Sequence, residues 1–127
     1  IKVKGMKAIF DRDCKCVGWY NENDGMIYDT EMKWIGFISR NNFFSTNTSW
    51  FGGFFQGSMV DKQGRVVAWV EGNRPQGTLP LQYPLRPLKP LTPLRPLRPL
   101  RPLRPLKPLM PLGGWSRLTW REYINQT

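Results

Sequence analysis

The sequence predicts a mainly β fold: four β-hairpin pseudo-repeats closing into a small, symmetric, barrel-like head, followed by a polyproline II arm and a short C-terminal helix. Three observations carry this. Residues 6–72 contain one unit four times over, residues 84–112 repeat a Pro-Leu-X triplet, and Thr119 to Glu122 has the residue pattern of a helix start. The parts divide as a head (1–72), a joint (73–83), an arm (84–112) and a docking helix (113–127).

The head units lie at about 8–20, 26–38, 43–54 and 59–70. An aromatic residue or valine leads each one (Phe10, Tyr28, Phe44, Val60), followed by Asp11, Asp29, Ser45 or Asp61. Six residues further stands Val17, Ile35, Phe51 or Val67, and next to it a small residue: Gly18, Gly36, Gly52 or Ala68. Short aromatic and β-branched runs around a polar turn read as a hairpin. The turn is clearest in Asp61-Lys62-Gln63-Gly64, where Asp bonds the turn backbone and Gly takes positive φ. A small residue at one fixed strand position marks close backbone approach or a bend. These eight turn and small-residue positions are read as structural. A unit this short cannot bury a face alone, so the four must close on one another. Their many aromatics imply that some face outward or into a central groove.

At these residues the chain resembles the four-fold beta-flower proteins, a family predicted mainly in bacteria. The resemblance rests on the Y/F-D turn, the G-W or G-F strand and the Pro-Leu-basic tail. It implies a shallow, symmetric β-barrel with an apolar central channel, a shape likened to lipid-binding tubby-like domains, and no established function. The departures are Ser45 for Asp, Ala68 for Gly, and Gly53 where other units have an aromatic. YD-type shell repeats look similar but are longer and far more numerous.

In the joint, Gly72, Pro75, Gly77 and Pro80 punctuate the chain. Proline at every third position of the arm then removes N–H donors and fixes φ, which excludes an ordinary helix or central strand. Polyproline II has three residues per turn, in phase with the triplet, so the 29 residues would form a rod of roughly 90 Å. One edge is proline. A second is Leu85, Leu88, Leu91, Leu94, Leu97, Leu100, Leu103, Leu106 and Leu109, ending at Leu112. The third carries Arg86, Lys89, Arg95, Arg98, Arg101, Arg104 and Lys107. A plain spacer needs no leucine stripe; exposed, it would be a patch of the kind that marks an interface. After Gly113-Gly114, Thr119 with Glu122 fits a capping box and Leu118 with Tyr123 a hydrophobic staple. About two helical turns are not stable alone, so this helix must dock.

The net charge of +10 is unevenly placed. Residues 1–72 hold nine basic and eight acidic side chains, whereas residues 73–112 hold eight basic and none acidic. Such an arm attracts nucleic acid, anionic lipid or an acidic protein face. Cys14 and Cys16 are too close in sequence for a good disulfide in a strand, and with no histidine they do not complete a zinc site. No His-based catalytic set or phosphate loop is present. The reading assigns no catalytic, metal or cofactor site and no small-molecule substrate. It expects neither a signal peptide nor a bilayer-spanning run, and leaves open a segment before Ile1.

The expectation is therefore a non-enzymatic structural or interaction module whose arm docks on its own head or a neighbour's, with self-association or an acidic protein surface as partner. Two alternatives accompany it. The basic edge could bind anionic membrane lipid or nucleic acid, or the arm could serve Pro-binding domains, since Pro84 through Lys89 matches their P-x-x-P-x-basic register. A bacterial cytoplasmic or membrane-peripheral setting is favoured, with extracellular assembly left open.

Overall fold

The computed structural model describes residues 5–73 and 114–126. The arm at 84–112, and with it the expected leucine and basic edges, lies outside the described residues, as does most of the joint. Eight antiparallel strands close into a barrel in chain order. They are β1 (Met6–Asp11), β2 (Cys16–Asn21), β3 (Met26–Asp29), β4 (Trp34–Ser39), β5 (Asn42–Ser45), β6 (Trp50–Phe55), β7 (Ser58–Val60) and β8 (Val66–Val70). One helix, α1 (Trp120–Ile124), follows.

Each predicted hairpin is built the same way. At its tip a side-chain oxygen accepts backbone N–H groups, two in the three aspartate turns and one in the serine turn. Asp11 Oδ1 takes those of Asp13 and Lys15, at 2.9 and 3.0 Å. Asp29 does the same for Glu31 and Lys33, and Asp61 for Gln63 and Arg65. Ser45 Oγ accepts from Ser49 and donates to Asn47 Oδ1. The fourth turn residue then sits at positive φ: Cys14, Met32 and Thr48 at 62–69°, and Gly64 at 88°. This is a type I turn followed by a left-handed residue, a common hairpin loop.

A bulge follows in every copy. Ile9 pairs with Gly18 but Phe10 pairs with Cys16, which leaves Val17 as the extra residue. Ile35, Phe51 and Val67 occupy the same place. At the opposite rim, Arg40-Asn41 and Gln56-Gly57, all with positive φ, make tight two-residue connections between hairpins.

The small residue after the bulge lets neighbouring hairpins approach. A Cβ on Gly36 would stand 2.2 Å from the Phe44 carbonyl oxygen, and one on Gly18 2.5 Å from that of Tyr28. The fourth copy carries Ala68, at the seam where β8 pairs with β1. Glu71 binds the same seam: its backbone N–H reaches the Ala8 carbonyl at 2.9 Å and its carboxylate accepts from the Ala8 N–H at 2.9 Å.

The wall has two apolar faces. Tyr20 on β2 and Phe54 on β6 stand four strands apart, yet their rings are 5.3 Å apart. Only side chains pointing into the barrel can meet that way. Their face is therefore the interior, and it carries Ile9, Ile27, Phe43 and Met59, one from each unit, with the bulge residues. The other face, bearing Phe10, Trp19, Met26, Tyr28, Phe37, Phe44 and Trp69, is the outer wall.

The close approach at Gly36 yields a prediction. Gly36→Ala forces the Phe44 backbone and the interior Phe43 ring aside, and stability falls by about 1–3 kcal/mol, read as a lowered urea midpoint at unchanged slope. An unchanged midpoint would contradict the steric account.

Candidate functional site: a plugged channel and an aromatic outer belt

Two places on this head are more than wall. The first is the channel end at the hairpin tips, which α1 occupies. The predicted capping box is formed, with Thr119 Oγ1 accepting from the Glu122 N–H at 3.2 Å and the Glu122 carboxylate accepting from the Thr119 N–H at 3.0 Å. Leu118 and Tyr123 share one cluster, as a hydrophobic staple requires. Trp120 and Tyr123 enter the interior cluster and pack on Phe43, with Tyr123 also on Phe51. Tyr123 is fully buried, and its hydroxyl donates to the Val60 carbonyl at 2.9 Å. Burial, and then the nearby Asp61 carboxylate, push its pKa well above 10.0.

Asp61 departs from its counterparts. Its second oxygen accepts from the Ser116 hydroxyl at 2.6 Å, so one carboxylate holds both the fourth turn and the segment leading to α1. That segment also adds a parallel bridge to β8, with the Val66 N–H donating to Gly114 O and the Ser116 N–H to Val66 O. Beside it lies a cleft whose lining includes Lys62, Arg65 and Arg117.

The second place is the outer belt. Phe10 packs on Trp69, with ring centroids 5.1 Å apart, and Phe37 on Phe44 at 5.6 Å. Cys14, Cys16, Met32, Trp34, Trp50 and Trp115 flank them. Trp34 Nε1–H donates to Gly36 O, and Trp50 Nε1–H to Asn42 Oδ1. The Trp69 indole N–H is buried with no acceptor among the described residues. Cys14 and Cys16 are thiols rather than a disulfide; burial pushes the Cys16 thiol above its usual range.

The sequence-derived positions thus fall into separate places. Asp11, Asp29, Ser45 and Asp61 hold turns around one rim, and Gly18, Gly36, Gly52 and Ala68 stand at strand contacts. No cluster of potential metal ligands occurs among the described residues. Sequence reasoning missed the Ser116–Asp61 and Tyr123–Val60 bonds, which span 55 and 63 residues. It also left the inner and outer aromatics unsorted.

A family model for 4-fold beta flower proteins matches residues 7–124. The chain belongs to that family. This beta flower is an eight-stranded closed antiparallel barrel of four hairpins with a short C-terminal helix. No curated protein and no solved structure matches it. The match takes in the helix as well as the strands, so the beta flower includes its plug.

The buried tyrosine gives a pH prediction. Because its folded pKa lies above the unfolded value, its contribution is fully present below pH 10.0 and declines above it, where only the unfolded chain ionises at Tyr123. Chemical denaturation followed from pH 8 to 11 should show stability falling above about pH 10. In Tyr123→Phe that decline shrinks, while stability at pH 7 drops by about 1 kcal/mol for the lost hydrogen bond. An identical alkaline decline in both proteins would contradict this.

Proposed function

We propose that this beta flower is a non-enzymatic interaction module: a rigid hairpin barrel on which the Pro-Leu-basic arm docks, its own or a neighbour's, in support of assembly. The observation that carries the reading is the outer belt. A closed barrel already has an interior to bury, yet this one builds a second apolar surface of tryptophan, phenylalanine, tyrosine and methionine on its outside. The arm supplies the matching chemistry, ten leucines on one edge of a stiff repeat. Fully burying one leucine contributes ~1.5–3 kcal/mol, so partial burial of ten exceeds the remaining cost of ordering a chain that is already restricted. Pro-rich segments are also known to dock on aromatic-lined grooves through their prolines.

The test is Leu94→Ser, Leu97→Ser, Leu100→Ser and Leu103→Ser combined in the full chain. The melting midpoint should fall by roughly 10 °C or more, with any assembly reduced in light scattering. An unchanged melt and unchanged mass would sink the reading.

A second reading, binding to a polyanion or an anionic membrane surface, is favoured by the eight basic and no acidic residues of 73–112, beside Lys62, Arg65 and Arg117 around the cleft. The stretch 84–112 contains no aromatic residue, so any base stacking would come from the head. In this reading the protein is retained on anionic but not neutral liposomes, or shifts nucleic acid in a salt-sensitive way. Equal retention on both liposomes and no shift would remove it.

A further inference from the structure

The two ends of the chain segment outside the described residues return to the same strand. Asn73 is bonded to the end of β8, through its N–H to Val70 O at 3.2 Å. Gly114 is bonded to the start of β8, through its carbonyl to Val66 N at 3.0 Å. A five-residue strand is about 17 Å long. A straight 29-residue polyproline II rod would separate its ends by about 90 Å. The other 11 residues of 74–113 span at most ~40 Å when fully extended. A single straight rod therefore cannot join these anchors; the segment has to turn back.

We propose that residues 84–112 curve around the outer wall of their own barrel, with the leucine edge against the aromatic belt. This rests on the docking reading above and names the surface and the partner: the belt, and the same chain. The lengths agree. Eight strands about 4.8 Å apart and tilted about 40° make a wall of roughly 8 Å radius. A chain packed about 10 Å outside it follows a circuit of roughly 110 Å. The 40 residues of 74–113 span about 120 Å at the polyproline II rise.

The chemistry of the belt agrees as well. Ala8, Met26 and Phe37 have no exposed surface although they stand on the outer wall. Trp115, where the chain re-enters, already packs against the belt. The buried Trp69 N–H lacks an acceptor among the described residues, and polyproline II leaves its carbonyls free of internal bonds. With leucine turned inward, the arginine and lysine edge becomes a band of positive charge around the head.

The midpoint of such a circuit lies across the barrel from β8, over β4. A photo-reactive phenylalanine analogue placed at Leu94 in the full chain should cross-link within its own chain to Trp34–Ser39. The same analogue at Thr92, on the outward edge, should give a much lower yield there. Cross-links between chains would overturn the cis path while leaving the docking reading intact. Links from Leu94 only to other arm residues would overturn the wrapped path in favour of a hairpin-like excursion. No links, with rapid proteolysis of the arm, would remove both readings. In the unmodified chain, the Trp69 indole proton should exchange at least about tenfold slower than a free indole; exchange at the free rate would also overturn the proposal.

Discussion

One oxygen atom at each hairpin tip sets the geometry of the whole head. Asp11, Asp29, Ser45 and Asp61 each hold the turn so that its fourth residue takes positive φ and the returning strand enters with one residue extra. That extra residue resets the in–out alternation. Counting back from Tyr20, which faces inward, Val17 would otherwise point outward and Cys16 inward. The bulge reverses both, placing Val17 with the interior cluster and Cys16 with the belt. The same irregularity sharpens strand twist, and the small residue beside it lets the next hairpin come close enough to continue the ring.

The fourth unit shows how a symmetric frame takes on one asymmetric task. Its turn is the most conventional of the four, with Gly64 at the left-handed position. It is also where the C-terminal segment attaches, through Ser116 to Asp61 and Tyr123 to Val60 O. Gly52 stands against that same carbonyl, since a Cβ there would lie 2.0 Å from Val60 O. A side chain at 52 would disturb both the hairpin contact and the tyrosine's acceptor. The plug is thus tied to one unit while its rings cover the shared channel.

Much of this was legible in the sequence. The four copies, their turn residues and the capping box depend on short spacings, and short spacings survive in a linear reading. The left-handed residues Cys14, Met32 and Thr48 were not legible, because the strain is accepted where the turn oxygen has already fixed the backbone. Nor was the sorting of faces. Strands such as Ala8-Ile9-Phe10 are apolar at consecutive positions, and a wall buried on both sides has no polar alternation to read. Glu71 and Ser116 look like ordinary polar residues until partners 63 and 55 positions away are known.

The chain-order arrangement of the barrel has a kinetic and entropic consequence. Seven of its eight strand pairings join neighbours in sequence, through connections of a few residues. Only the β8–β1 pairing, Ile9 with Val70, closes a loop of the whole head. Loop entropy grows with the logarithm of length, so a loop some fifteen times longer costs only about 2 kcal/mol more. The Glu71–Ala8 hydrogen bonds and the Phe10–Trp69 contact lie at that junction and together are of the same order. A ring of mostly local contacts can therefore be completed by one modest set of distant ones.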